Sequence, residues 1–132
     1  MIPIKFRAWD KRHKRMIEVT SINFRDRTIE EETRYAVNRK LYLDDVVLMQ
    51  HTGLKDSKSV EIYEGDVLTL KYPRDRRYTV TAKVIRGSQI SAMTLKFEDE
   101  FTTEEIPLYK ISAEHNLEIL GNIYENPELL EV

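Results

Sequence analysis

"TGLKDSKSVEIYEGDVL", Thr52–Leu68, decides how the chain is read. Gly53 and Gly65 bracket a polar tip, and "EGD" opens into an apolar run. Glycine supplies backbone angles that other residues resist. The carboxylates of Asp56 and Asp66 can accept nearby backbone N–H groups as turns form. Ile62 and Tyr63 are neighbours and fall on opposite faces of a strand. The segment therefore reads as an entry hairpin that delivers the chain into a strand over Val67–Tyr72.

Outward from this corner the period is mostly two. "GDVLTLKY" sets Leu68, Leu70 and Tyr72 against Val67, Thr69 and Lys71. "YTVTAKVI" sets Val80, Ala82 and Val84 against Thr79, Thr81 and Lys83, and "MTLKF" repeats the pattern. Alternation with β-branched and aromatic residues marks half-buried strands. "NLEILGNIY" offers another strand, with Gly121 breaking its side-chain row, which predicts a bulge or a close backbone approach. "IKFRAW", "MIEV", "SINF" and "DVVLMQ" are strand candidates in the first part. "IEEETRYAVNRKLYL" is ambiguous: the Glu30–Arg34 spacing suits a helix, while Tyr35, Val37, Leu41 and Leu43 alternate as a strand would. "ENPELLEV" carries a helix signal, with Asn126 as N-cap, Pro127 at the first position and Glu128 near the positive end of the dipole. It is long enough for a turn or two.

Many short strands separated by turns predict a small barrel or roll. A chain of 132 residues is the size of one domain. We expect one compact unit over 1–132. Within it, an N-terminal β segment over 1–48 would lean on a β-barrel part over 49–132, closed by the C-terminal helical turn.

Charged residues make up 33% of the chain, so a well-solvated surface is expected, and the net charge of −2 selects neither nucleic acid nor membrane by its overall field. There is no cysteine, which excludes disulfides, thiolate nucleophiles and cysteine-ligated zinc. The longest aliphatic run, Val46–Met49, is far short of the ~20 residues of a membrane span. "MIPIKFRAWDKRHKR" has charge where a signal peptide needs apolar residues. A soluble cytoplasmic protein without a membrane partner is expected.

His13, His51 and His115 show no paired metal spacing. Carboxylates cluster at Glu30–Glu32, Asp44–Asp45, Glu98–Glu100 and Glu104–Glu105, but neighbours on a strand point opposite ways and do not converge as hydrolytic chemistry requires. Solvated loops that protect sheet edges are the simpler reading, and a metal-dependent hydrolase is a remote one. No cofactor and no catalytic residue is expected. Basic residues are more suggestive. Lys5, Arg7, Lys11, Arg12, Lys14 and Arg15 face only Asp10, while residues 114–132 hold five glutamates and no lysine or arginine. A near-neutral total thus hides a basic N-terminus and an acidic C-terminus. A second cluster interleaves Lys71, Arg74, Arg76 and Arg77 with Tyr72 and Tyr78. Small β-barrels that hold single-stranded nucleic acid combine such cations with aromatic platforms. Lys71, Tyr72, Arg74, Arg76, Arg77 and Tyr78, with Lys11, Arg12, Lys14 and Arg15, are therefore candidate nucleic-acid contacts, weighed against charged turns that attract one another within or between subunits. Trp9 reads either as a partner anchor or as the closure of one end of a core, and burial statistics favour the core.

Three stretches line up in order: "KFRAWD" at Lys5–Asp10, "MQHTGLKDSKSVEIYEGDVL" at Met49–Leu68 and "EILGNIYENPELL" at Glu118–Leu130. Together they resemble the YopX family, small proteins of phages and prophages. The resemblance implies a mainly β fold with a small SH3-type barrel, and a homo-oligomer. It implies no enzyme activity, because the family has no recognised catalytic residues to carry over. Trp9, Gly53, Gly65, Asp66, Gly121 and Pro127 carry the resemblance as structural positions. Family members commonly place Asn-Gly at the tip of the middle motif, and Ser57–Lys58–Ser59 stands there instead, which predicts a longer loop than a two-residue turn. The functional expectation is a non-enzymatic accessory protein that self-associates and binds a host or phage protein, with single-stranded nucleic-acid binding as the alternative.

Overall fold

In the computed structural model the described residues are 4–32, 38–71, 79–86, 93–97, 105–107 and 116–130. They form β1 (Phe6–Asp10), β2 (Arg15–Asn23), β3 (Thr28–Glu32), β4 (Asn38–Tyr42), β5 (Val46–Lys55), β6 (Glu61–Tyr63), β7 (Asp66–Lys71), β8 (Thr79–Arg86), β9 (Met93–Phe97), β10 (Glu105–Pro107) and β11 (Asn116–Asn122). Two 3-10 turns, Leu43–Asp45 and Pro127–Leu130, are the helical elements among these residues. The protein is mainly β, with two antiparallel sheets. Their strand orders are β4-β3-β2-β1-β5-β6 and β10-β9-β8-β7-β11.

The chain divides into two units, Met1–His51 and Thr52–Val132. Both this division and the 48/49 boundary expected from sequence fall inside β5. The first unit buries Ala8, Ile17, Ile29, Leu41 and Val46, with Val19, Ile22, Leu43 and Leu48 packed against them. These residues share one sheet face because the register pairs Ala8 with Ile17 and Leu48, and Ile29 with Ile22 and Leu41. "MIEV" and "SINF" are one continuous strand, β2, with a register shift between Val19 and Ser21. The ambiguous "IEEETRYAVNRKLYL" supplies two antiparallel strands, β3 and β4, in which Glu30 and Glu31 lie opposite Lys40 and Arg39. Opposite charges across an antiparallel pair favour that register. Tyr35 and Val37 lie outside the described residues.

The second unit buries Ile62, Leu68, Leu70, Ala82, Val84 and Leu117, flanked by Leu54 and Ile119. The predicted strand at the entry corner is β7, paired with β8 on one side and β11 on the other. It is buried more deeply than a half-buried strand: Val67 and Leu68 point to opposite faces, and neither is exposed at all. The expected barrel takes, among the described residues, the form of an open five-stranded sheet with β10 and β11 at its ends. Pro107 sits in the end strand β10, where a missing N–H costs least.

Gly121 stands where the β11–β7 register shifts, between Ile119 and Gly121. A Cβ added there would come within 2.7 Å of Asn126 Cγ. Asn126 is not free to retreat without loss, since its Oδ1 accepts the Asn122 N–H at 3.3 Å and its carbonyl accepts the Leu129 N–H at the start of the Pro127–Leu130 turn. Gly121→Ala should cost about 1–2 kcal/mol by pushing the Asn126 side chain off the Asn122 amide. Urea denaturation of the variant checks it, and an unchanged midpoint would show that Asn126 can move without penalty.

Candidate functional site

The N-terminal basic cluster is a turn built on one buried carboxylate. Asp10 ends β1 with 1% of its surface exposed. Its Oδ1 accepts the backbone N–H groups of Arg12 (3.0 Å) and His13 (3.2 Å), and His13 Nδ1 lies 2.9 Å from Oδ2. Lys14, at φ 53°, donates its N–H to the Asp10 carbonyl at 2.8 Å and closes the turn. Lys11, Arg12 and Lys14 are thereby held outward and exposed. Lys11 Nζ donates to the Asp44 carbonyl at 3.2 Å. Arg15 behaves differently: its guanidinium forks onto Glu31, 3.1 Å from Nη1 to Oε2, and its Nε lies 3.7 Å from Asp10. Three of the four candidate cations thus project from the turn, and the fourth is committed to an internal ion pair.

The same device recurs. Asn23 ends β2, accepts the Asp26 N–H at 2.9 Å, and the turn closes at Arg27 with φ 57°. Asp56 follows β5, and its Oδ1 accepts the N–H groups of Lys58 and Val60, both at 2.9 Å, while Ser59 takes φ 65°. In each case a short polar side chain caps amides of the turn it begins, and a non-glycine residue adopts the left-handed conformation near its end. The tip at Ser57–Lys58–Ser59 is accordingly a loop over Asp56–Val60, between β5 and β6.

Asp56 does one thing more. Its Oδ2 accepts the N–H of Ile119 in β11, 63 residues away, at 3.1 Å, and the Ser57 N–H donates to the Leu117 carbonyl. The loop tip is pinned to the C-terminal strand. Beyond it, Lys58 Nζ lies 2.8 Å from Glu118, whose second oxygen is 3.9 Å from Lys71. Hydrogen bonding and charge from Lys58 hold the Glu118 carboxyl below its usual range. Lys71 thus has an acidic neighbour, and the other members of its cluster, Tyr72, Arg74, Arg76, Arg77 and Tyr78, lie outside the described residues. The remaining singled-out residues hold corners. Gly65, at φ 89°, donates its N–H to Val84 and accepts from Ile123. Asp66 accepts the Tyr63 N–H at 2.8 Å. Gly53 takes φ 85° within β5. Pro127 opens the C-terminal 3-10 turn. Trp9 is half-buried on the β1 face opposite Ala8, between Met16 and Val47. Asp10 and Asn122 escaped the sequence reading as organisers, although Asn122 Oδ1 accepts the N–H groups of Tyr124 and Glu125. The signal available for both was an Asx residue at the end of an alternating run.

Burial alone would raise the Asp56 and Asp10 carboxyls. Hydrogen bonds outweigh it: the amides of Ile119, Val60 and Lys58 for Asp56, and the His13 side chain with the amides of His13 and Arg12 for Asp10. Both acids are held below their usual range. An acid depressed in the folded state contributes fully above its unfolded value, about 3.9, and the contribution is lost as pH falls through the lower folded value. Stability should therefore drop steeply below about pH 4. Urea midpoints at pH 5 and pH 3 measure this, and a flat profile would contradict the two caps.

Among the described residues no three His, Asp or Glu side chains gather in a metal-binding group. Likewise, none of the helices described is long and apolar enough to cross a membrane. What the fold and its corners define is a mainly β protein of two antiparallel sheets whose signature residues fasten turns. Residues 5–131 match the family described as YopX protein, and the chain belongs to that family. It is similar to the crystal structure of protein EF1440 from Enterococcus faecalis, with 28% identity and a TM-score of 0.66 over 99% of this chain and 100% of that one. It is also similar in fold to the protein yopX from Bacillus subtilis, with 18% identity and a TM-score of 0.66 over 97% and 96%. No curated protein matches the chain.

Proposed function

We propose that the chain is a non-catalytic accessory protein of a phage or prophage, acting in the bacterial cytoplasm by associating with itself and with another protein. The observation that carries this reading is the segregation of charge. Lys11, Arg12 and Lys14 are exposed on a turn fixed by Asp10, while residues 114–132 hold five glutamates and no cation. Complementary patches steer and orient subunit contacts while adding modest affinity. Among the described residues, Asp10, Asp56 and Asp66 accept backbone amides, and Glu31 and Asp44 pair with Arg15 and Arg27. Light scattering behind size exclusion, at tens of micromolar protein and two salt concentrations, tests it. An oligomer that loosens with salt is expected, and Arg12→Glu with Lys14→Glu should weaken it about tenfold, since exposed pairs are worth up to ~1 kcal/mol each. A strict monomer at both salts would sink the self-association half.

The second reading is single-stranded nucleic acid on the β1–β2 turn and Lys71–Tyr78. It draws on the same three exposed cations, and is weakened by the commitment of Arg15 to Glu31 and the nearness of Lys71 to Glu118. Titration with a labelled oligothymidylate at two salt concentrations separates the two. Binding that is absent, or indifferent to salt, removes this reading.

A further inference from the structure

We infer that the Asp56–Val60 loop is an edge guard: it fills strand-pairing positions of β11 and keeps two copies of the chain from joining edge to edge. Joining of this kind needs no charged patch, so it stands or falls apart from charge-steered association. Among the described residues the two sheets end in β4, β6, β10 and β11. An end strand exposes a row of backbone donors and acceptors, and folded chains blunt it with cations, proline, short length or a covering loop. β4 carries the exposed Arg39 and Lys40. β6 and β10 are three residues long, and β10 ends in Pro107. β11 has seven residues, Asn116–Asn122, with no lysine, arginine or proline among them. Its single charged side chain, Glu118, is paired with Lys58 Nζ at 2.8 Å. The composition of β11 leaves its edge open, so protection has to come from elsewhere in the chain.

The loop supplies it. Leu117 and Ile119 are two apart, so their backbone groups leave β11 on the same side. Both are met by the loop: the Ser57 N–H donates to the Leu117 carbonyl at 2.8 Å, and Asp56 Oδ2 accepts the Ile119 N–H at 3.1 Å. One backbone donor and one carboxylate oxygen thus stand where the N–H and C=O of a neighbouring strand would. They cover the regular part of the edge, since the register with β7 shifts between Ile119 and Gly121, and a bulge there discourages further pairing. The guard has no buried apolar anchor. Ser57, Lys58, Ser59 and Val60 are all exposed, and of the loop's residues Asp56 alone is buried. Polar contacts hold the loop, so removing one of them can free the edge without emptying the core. A freed copy then presents an unpaired donor and acceptor, which a second freed copy can satisfy in an antiparallel, two-fold arrangement.

Ser57→Pro tests the guard, because proline lacks the N–H that the Leu117 carbonyl accepts. The Ser59 N–H bonds the Asp56 carbonyl at 3.0 Å, which places residue 57 second in a turn, a position that suits proline. Lys58→Glu is the second variant: it sets a like charge beside Glu118 and leaves the Asp56 bonds in place. Sedimentation velocity on the full chain, over a range of concentrations at low and high salt, compares each variant with the parent, and urea midpoints show that they are folded. Ser57→Pro should associate at least tenfold more tightly than the parent, at high salt as at low. Lys58→Glu should associate about threefold more tightly at low salt. Hydrogen exchange should show the Ile119 amide of the Ser57→Pro chain gaining protection as its concentration rises. Adding Leu120→Lys, which gives β11 the kind of charge that β4 carries, should return the Ser57→Pro chain to the association of the parent. If Ser57→Pro does not fold, Lys58→Glu decides. Folded variants that associate no more than the parent overturn the guard and leave charge-steered association standing. Association without protection at Ile119, or undiminished by Leu120→Lys, overturns it as well. A monomeric parent with variants that associate upholds the guard and removes charge-steered association alone.

Discussion

Asp56→Asn should lower stability by about 2 kcal/mol although it changes one atom and no shape. In the parent, one carboxylate oxygen takes the Lys58 and Val60 amides and the other takes the Ile119 amide. Asparagine offers one acceptor and one donor. Whichever way the amide turns, an N–H faces another N–H, and at least one part-buried backbone donor loses its partner, at roughly 1–3 kcal/mol. Asp56→Ala removes all three bonds and should cost at least as much. The urea midpoint at neutral pH reads the loss, and faster exchange of the Ile119 amide localises it. Asp56→Asn should also flatten the fall in stability below about pH 4, because one of the two buried depressed acids is gone. An asparagine variant within 0.5 kcal/mol of the parent would show that the three bonds contribute little, against the usual magnitude for buried charge-assisted pairs.

Gly65→Val should be the more damaging substitution. Gly65 takes φ 89°, and its N–H and carbonyl bind Val84 and Ile123 on either side of β7. A β-branched residue at positive φ is strained by roughly 1–3 kcal/mol. Relaxing the backbone would break one or both of these bonds, so the two costs compound to about 3 kcal/mol. That corresponds to a melting temperature lower by roughly 10 °C for a chain of this size. Gly65→Asn tolerates the left-handed region better and should recover much of the loss. Thermal melts of both variants, with the yield of soluble protein, decide. A Gly65→Val protein that melts like the parent but no longer self-associates would make this corner a binding site in its own right.

Much of the architecture was legible because side-chain alternation is local. "GDVLTLKY", "YTVTAKVI" and "MTLKF" became β7, β8 and β9, and Gly121 stands both at a register shift and against Asn126. The depth of β7 was not legible, since alternation shows which residues share a face and not whether the second face is also covered. "IEEETRYAVNRKLYL" stayed open because a four-residue charge spacing fits a helix, while the strand register, with Glu31 opposite Arg39 and Glu30 opposite Lys40, joins residues far enough apart to need a hairpin. The ion pairs of Arg15 and Lys71 were hidden for the same reason, and they bear most on the candidate site. Counting cations in a row says nothing about Glu31 or Glu118, which reach them from other strands. The organising role of Asp10 was missed because its acidity was read as opposition to its neighbours' charge, when its carboxylate is occupied by their amides.

The place of β7 between β8 and β11 has a consequence for the chain as it is made. β8 follows within a few residues, but about 45 residues separate the end of β7 from the start of β11. At ~5–20 residues per second a ribosome needs roughly 2–9 s to cover that stretch. Throughout it Val67, Leu68 and Leu70 belong to a strand with one side unpaired, the kind of nascent edge that invites other chains. The Asp56 tip, emerging earlier still, must wait for Ile119 before its last bond can form. Growth temperature and translation speed should therefore change the yield of soluble protein even where the stability of the finished fold is unchanged.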